Sequence, residues 1–267
     1  MSNNDKLNKR LRKLKNARLD VIEQAAKWNQ YVQAAYSDEI VEAIANSKIY
    51  SPEFQPGSPE KRRSRTTLMD IDTVGALFAL DEADITVFNY ADYKYAGGMF
   101  LEGSTAQEEA LCHKSILFPV LNSFEDCYYA PNRKDSRGGL FTNRAIFSKN
   151  ILFEQNSERK KTANVLTCAA PNWGNCKYNN ISKSENNKVI RERLKWINKI
   201  LADNNVDTFV AGAWGCGVFL QDPKTVAAMM IEEITYPKNL ILAIPAGRNY
   251  SVFKEVLEAK QNEKAKH

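Results

Sequence analysis

The residues best placed to do chemistry in this 267-residue chain are two adjacent glutamates, Glu108 and Glu109, ten residues beyond a glycine pair, Gly97-Gly98. The run Ile85-Thr86-Val87-Phe88 ahead of them has the β-branched and aromatic content of a strand, and 104–118 has helical spacing. Strand, glycine loop and helix therefore follow in order. Paired glycines let backbone N–H groups approach a ligand without Cβ interference, and a helix start adds free donors and partial positive charge. The segment suits a diphosphate. Asn89 and Asp92 fall at the strand's C-terminal end, where open α/β sheets place their ligand crevice. Neighbouring helical side chains point about 100° apart, so Glu108 and Glu109 cannot form the paired-carboxylate pinch of ordinary glycosidases. At most one of them reaches a reacting bond. The same residues also admit a structural account, because Ser104 and Gln107 have the spacing of a capping box and acidic residues complement a helix start.

A second segment repeats the logic. Thr208-Phe209-Val210-Ala211 reads as a buried strand; Gly212, Gly215 and Gly217 follow, then Asp222-Pro223, an N-cap and first-turn proline. Such a loop can wrap phosphate oxygens with N–H groups or simply turn the chain. It lacks the third glycine of a dinucleotide fingerprint. Cys216, set between glycines with no histidine near it in sequence, reads as a packing residue rather than a nucleophile. The chain has two histidines and five cysteines, with no CxxC or HxxxH spacing. Zinc sites, disulfide frameworks and histidine-based nucleophilic sites are therefore disfavoured, and no metal or cofactor is called for.

The elements that must position these residues alternate. Strands are predicted at 85–88, 163–168, 208–211 and 240–244, with helices at 70–80, 104–118, 187–203 and 222–235. That order specifies an α/β layered fold with a parallel or mixed sheet. The segment 124–156 reads as an antiparallel insertion around Gly138-Gly139. Residues 5–48 read as helix, followed by a Pro- and Gly-punctuated loop, so 1–66 is expected to be an N-terminal helical extension packed on a core domain spanning 67–267. The formal net charge of +5 gathers at the ends, in Lys6, Lys9, Arg10, Arg12, Lys13, Lys15 and Arg18, then Lys254, Lys260, Lys264 and Lys266. Solvated helix faces account for it, and a polyanion contact is the alternative, as for the run Lys61-Arg62-Arg63-Ser64-Arg65. No apolar run approaches the ~20 residues of a membrane span, and the first residues lack a secretion-signal layout, so a cytoplasmic location is expected.

Taken together, four segments resemble the bacterial type of the poly(ADP-ribose) glycohydrolase family. They are Gly97-Gly98-Met99 with Gln107-Glu108-Glu109; Gly139-Leu140-Phe141-Thr142-Asn143-Arg144; Ala169-Ala170-Pro171-Asn172; and Gly212 to Phe219, in the family's order. The resemblance implies a macrodomain-like three-layer α/β fold with a mixed central sheet. It further implies that Glu109 is the acid/base, that Glu108 holds the ribose hydroxyls, and that Gln107 supports the loop. Gly97 and Gly98, with Gly215, Cys216, Gly217 and Val218, would wrap the diphosphate and ribose, and Phe219 would pack against the sugar. Asn89 would lie near the distal ribose, and Asp72 would contact adenine. The implied ligand is ADP-ribose or poly(ADP-ribose), free or carried on a modified protein or nucleic acid. A mono-ADP-ribosyl hydrolase and a binding-only ADP-ribose macrodomain share the same loops. Met99 departs from the family's third glycine, and Asp92-Tyr93 and Gln221 also depart. A side chain at 99 is expected to narrow the cleft or to strain the backbone, since left-handed conformations open to glycine cost other residues ~1–2 kcal/mol.

Overall fold

The computed structural model describes residues 3–55, 57, 59–62 and 65–265, with side chains described between 15 and 263 of these. The elements run α1 (Asn3–Ala35), α2 (Ser37–Ala45), β1 (Lys48–Tyr50), β2 (Arg65–Met69), α3 (Thr73–Ala79), β3 (Ile85–Asn89), α4 (Gln107–Cys112), α5 (Leu117–Asn122), α6 (Ala130–Lys134), β4 (Ala145–Asn156) and β5 (Arg159–Thr167). They continue α7 (Trp173–Tyr178), α8 (Lys183–Asp203), β6 (Thr208–Ala211), α9 (Pro223–Glu233), β7 (Asn239–Ala243) and α10 (Arg248–Ala265).

One seven-stranded mixed sheet, ordered β1-β4-β5-β3-β6-β7-β2, organises the chain. Strands β5, β3, β6, β7 and β2 run parallel, while at one edge β4 runs against them and pairs antiparallel with both β5 and β1. Central strand β3 is buried at every position, as expected for a parallel strand covered on both faces. Its residues alternate between two cores. Ile85 and Val87 join Val165, Val210 and Ile241 beneath α1 to α5, and Phe88 joins Leu166, Phe209 and Leu242 beneath α8 to α10. The parallel order brings the ends of β3, β5, β6 and β7 to one rim, and the loops that leave them face one another there.

The N-terminal segment is not purely helical. The run expected over 5–48 breaks at Tyr36 (φ −132°, ψ 36°), whose hydroxyl donates to Glu154 at 2.5 Å, and then enters β1 as an edge strand. The helix expected over 104–118 divides into α4 and α5, because Ser115 leaves the helix to bridge Phe153 of β4. The 124–156 segment is not an antiparallel insertion. Its first half is helical, with a π-turn at Glu125–Tyr129 leading into α6, and its second half is β4 of the central sheet. Gly138 and Gly139, at φ 62° and 104°, make the turn between them. Of the basic residues, Arg62 pairs with Asp207 and covers the Tyr236 ring, and Lys260 pairs with Glu232 at 3.0 Å. The side chains of Lys6, Lys9, Arg10, Arg12, Lys13, Arg63, Lys264 and Lys266 lie outside the described residues. No helix among the described residues is long and apolar enough to cross a membrane.

Candidate active site

Three consecutive side chains at the start of α4 are each committed to a different partner at the rim. The Gln107 carboxamide accepts from Tyr90 N–H and donates to the Phe88 carbonyl, both at 2.8 Å. That fastens α4 to the end of β3. Glu108 accepts from Asn89 Nδ2 at 3.1 Å and from Asp92 N–H at 2.6 Å. Glu109 turns the other way and accepts from Met99 N–H at 3.0 Å. The divergence expected of adjacent helical positions is thus realised. The Ser104–Gln107 capping box does not form: Ala106 is the N-cap, with no side-chain cap, because the Gln107 amide is used on β3. Burial pushes the Glu108 carboxyl well above the usual carboxylate range, and the donors from Asp92 and Asn89 oppose that push.

Glycine is a steric necessity at 98. The residue sits at φ 57°, and a Cβ there would lie 2.7 Å from Glu109 Oε1 and 3.2 Å from Glu108 Oε2. The backbone therefore lies directly against both carboxyl groups. Met99, by contrast, has φ −103°. The strain expected of its side chain is absent, because the left-handed turn is completed at Gly97 and Gly98. The Met99 side chain is half-exposed and lines the cleft. Behind this loop stands α1: Arg18 Nε donates to the Glu102 carbonyl at 3.0 Å, and a Cβ on Gly103 would meet the Arg18 carbonyl at 2.9 Å. Trp28 Nε1 donates to Ser115 O at 3.1 Å. The N-terminal helix thus braces the acid-bearing loop, a role its amphipathic pattern alone does not announce.

The 212–222 loop is held at its two ends. Trp214 Nε1 donates to Cys168 O at 3.0 Å. Gln221, buried, donates to Pro171 O at 2.7 Å and exchanges hydrogen bonds with Asn186. Asp222 caps α9 by accepting from Thr225 N–H at 2.9 Å, as its sequence position implies. Gly215 (φ 74°) packs where a Cβ would strike Ala170 at 2.7 Å, whereas a Cβ on Gly217 would meet nothing within 4 Å. Cys216 directs its sulfur toward Trp214 O, and burial pushes its thiol up to about 12, which leaves it a packing group.

The two loops form opposite walls of one cleft of about 200 Å³, lined by Gly98, Met99, Glu108 and Glu109 on one side and by Gly215, Gly217, Val218 and Phe219 on the other. A wider recess of about 550 Å³ continues from it over Asp72, Thr73, Ala246, Arg248 and Asn249, and Tyr90, Ala106, Gln107 and Ala213 line both. Asp72, the N-cap of α3, accepts from Gly75 N–H at 2.6 Å. Three of the residues expected to touch ligand stand behind the wall. Asn89 is fully buried and serves Glu108, while Gly97 abuts the Phe118 ring. Cys216 is the third, and neither recess is lined by it. Tyr90 stands at the junction of the two recesses, and its only signal in the sequence is its place immediately after the strand end. Among the described residues all five cysteines are free.

Fold and cleft together define a macrodomain-like three-layer α/β domain with a carboxyl group set into a crevice at the strand ends. The family model for the microbial-type PARG catalytic domain matches residues 17–156, more than half of the chain, and the chain belongs to that family of poly(ADP-ribose)-directed glycosidases. The match begins inside α1, so its bracing residues Arg18 and Trp28 fall within it. Among similar solved structures is poly(ADP-ribose) glycohydrolase from Thermomonospora curvata, at 22% identity and TM-score 0.77, covering 89% of this chain and 99% of that one. Its complex with the inhibitor ADP-HPD matches at 23% identity and TM-score 0.77, covering 88% and 98%. Poly(ADP-ribose) glycohydrolase from Deinococcus radiodurans in complex with ADP-ribose matches at 26% identity and TM-score 0.73, covering 82% and 97%. No curated protein matches the chain.

Proposed function

We propose that the chain binds the terminal ADP-ribose of poly(ADP-ribose) across the two recesses and hydrolyses the ribose–ribose bond with Glu109 as acid and then base. The observation that carries this reading is the contact geometry at Gly98, whose Cα lies against the Glu109 carboxyl in the same cleft wall that faces Gly215 to Phe219. A diphosphate held between two glycine loops brings the attached ribose beside that carboxyl. Glu109 donates its proton to the leaving ribose oxygen as the bond from the anomeric carbon to that oxygen breaks. The cationic sugar is stabilised by the substrate's own diphosphate, the role a second carboxylate plays in ordinary glycosidases. Water then attacks the anomeric carbon and returns a proton to Glu109. Glu108, pinned by Asn89 and Asp92, presents its carboxyl to the ribose hydroxyls, and Gln107 keeps α4 on the strand end. Asp72 lines the far recess, which supports assigning it to the adenosine end. A cytoplasmic location goes with this substrate.

Retention of both glutamates supports an enzyme over a binding-only macrodomain, and the narrow cleft beside the wider recess supports a substrate longer than one sugar. The experiment is to incubate the protein with poly(ADP-ribose) and, separately, with a mono-ADP-ribosylated protein, following free ADP-ribose by chromatography. Release from the polymer alone is expected. Release from the mono-modified protein would assign the hydrolase of single units, and binding without release would assign a reader.

A further inference from the structure

Arg193 of α8 is 1% exposed, and no carboxylate is among its hydrogen-bond partners. Its guanidinium is instead spent on neutral oxygens from two rim loops. Nε donates to Asn143 Oδ1 at 2.9 Å, Nη1 to Ala169 O at 3.0 Å, and Nη2 to Leu140 O at 2.9 Å and Phe141 O at 3.1 Å. Burying a cation without a counter-charge is expensive, and polar backbone alone offsets the expense only when the donors are well used. A planar five-donor fork can do this where a lysine cannot. The question is what the arrangement holds in place.

One of the four acceptors is Phe141 itself. Phe141, left-handed at φ 61°, stacks face to face on Tyr93, with ring centroids 3.9 Å apart and planes 9° from parallel. On its other side it meets Phe219 edge-on at 6.1 Å. Tyr93 is anchored at its far end, its hydroxyl donating to Asp135 O at 2.8 Å and accepting from Thr142 N–H at 3.2 Å. It also follows Asp92, whose N–H holds Glu108. Phe219 lines the cleft opposite Glu109, and its carbonyl accepts from Trp173 N–H at 2.9 Å. The guanidinium thus fixes the middle ring of a three-ring series. One end of that series leads to a carboxyl of the acid loop, and the other is a wall residue of the facing loop. Tyr93 and Phe141 belong to a small apolar cluster of their own, and Phe219 packs against both that cluster and the core beneath α8 to α10.

We infer that Arg193 and the Tyr93–Phe141–Phe219 series are a positioning unit that sets the separation of the two cleft walls, with Arg193 and Phe141 acting through Phe219 and Glu108 rather than on substrate. This rests on the proposal that ADP-ribose occupies the cleft. The relative placement of two facing loops is set by the contacts packed behind them. Among the described residues this unit reaches the segments 90–93, 140–143, 169 and 219 together. Displacing a wall by a fraction of an ångström weakens every contact that spans the cleft, so the effect falls first on binding.

The test uses the full chain with Phe141→Leu, which removes the stack at similar volume, Arg193→Lys, which keeps charge but loses the fork, the double variant, and Phe141→Tyr, which restores a ring. ADP-ribose affinity is measured by calorimetry, polymer turnover gives KM and kcat, and near-UV circular dichroism reports the ring stack. Each single variant is expected to bind ADP-ribose about tenfold more weakly, with KM raised and kcat changed much less. The double variant should be no weaker than the worse single, since both act through one unit. Phe141→Tyr should regain most of the affinity. Folded variants that bind within twofold of the parent, or losses that simply add, would overturn the inference. If Arg193→Lys does not fold, Phe141→Leu and Phe141→Tyr decide alone. A readout independent of ligand comes from spin labels at positions 99 and 218, introduced as Met99→Cys and Val218→Cys with the exposed Cys127 replaced by serine. The distance distribution should be narrow in the parent and broad with Phe141→Leu; an unchanged distribution counts against the unit. Absence of ADP-ribose binding by the parent would instead point to failure of the functional proposal, and the label distances would still judge the unit.

Discussion

The two glycine loops of the cleft differ in what surrounds their glycines. At Gly98 the left-handed backbone is pressed against two carboxyl groups, with Gly97 against Phe118 and α1 packed behind Gly103. At Gly217 an added Cβ would touch nothing, and the neighbouring Val218 and Leu220 are exposed. The first loop has its glycine backbone packed against internal partners. The second is tied down at Trp214, Phe219 and Gln221 and leaves Gly217 and Val218 open. Under the proposed function the chemistry falls beside the first, at Glu109 of α4, because an acid must be held to a fraction of an ångström. Under the same proposal the grip falls on the second, where open backbone donors can meet a phosphate.

Substitutions that add one methyl group test this contrast directly. Gly98→Ala places a Cβ at a φ of 57° and 2.7 Å from Glu109 Oε1. It should cost ~1 kcal/mol or more in stability and about 100-fold in kcat, read by urea unfolding and polymer turnover. Activity near the parent's would mean that the loop is not built around Glu109. Glu108→Gln should lower kcat/KM about tenfold or more by weakening the hold on ribose, yet leave the protein at least as stable at neutral pH. The sign follows from burial, which raises the folded-state pKa of Glu108 above its unfolded value of about 4.5. The stability that this group contributes is fully present below the unfolded pKa and is lost as pH rises through the folded one. The advantage of Glu108→Gln in unfolding experiments should therefore shrink as the buffer is taken from pH 8 toward pH 5; an advantage that grows instead would contradict the burial argument. Gly217→Ala should leave stability unchanged and raise KM several-fold, up to about tenfold, by standing in the path of the diphosphate. A loss of stability there comparable to that of Gly98→Ala would erase the distinction between the loops.

Much of this was legible in the chain. The strands at 85–88, 163–168, 208–211 and 240–244 announce themselves because buried parallel strands are continuous apolar runs. The glutamate pair and both glycine loops are local patterns, and they do meet in one cleft. What escaped local reading depends on contacts distant in sequence. Tyr36 breaks a long helical pattern through a hydrogen bond to Glu154, and Ser115 divides another by pairing with β4. Asn89, Gly97 and Cys216 carry the residue types of a ligand wall but stand behind it. Met99 carries no strain because the φ that matters belongs to its two predecessors, which no residue type discloses. Arg193 has no signature at all in an amphipathic helix; only the fold shows that its partners are four oxygens of two loops.

The central claim is that Glu109 supplies the proton and then takes one back. Glu109→Gln keeps the acceptor for Met99 N–H and nearly the same shape, so the folded cleft should survive. ADP-ribose binding measured by calorimetry should stay within a few-fold of the parent, while release of ADP-ribose from the polymer should fall by about 100- to 10,000-fold. A Glu109→Gln protein that releases ADP-ribose at the parent's rate would contradict the account.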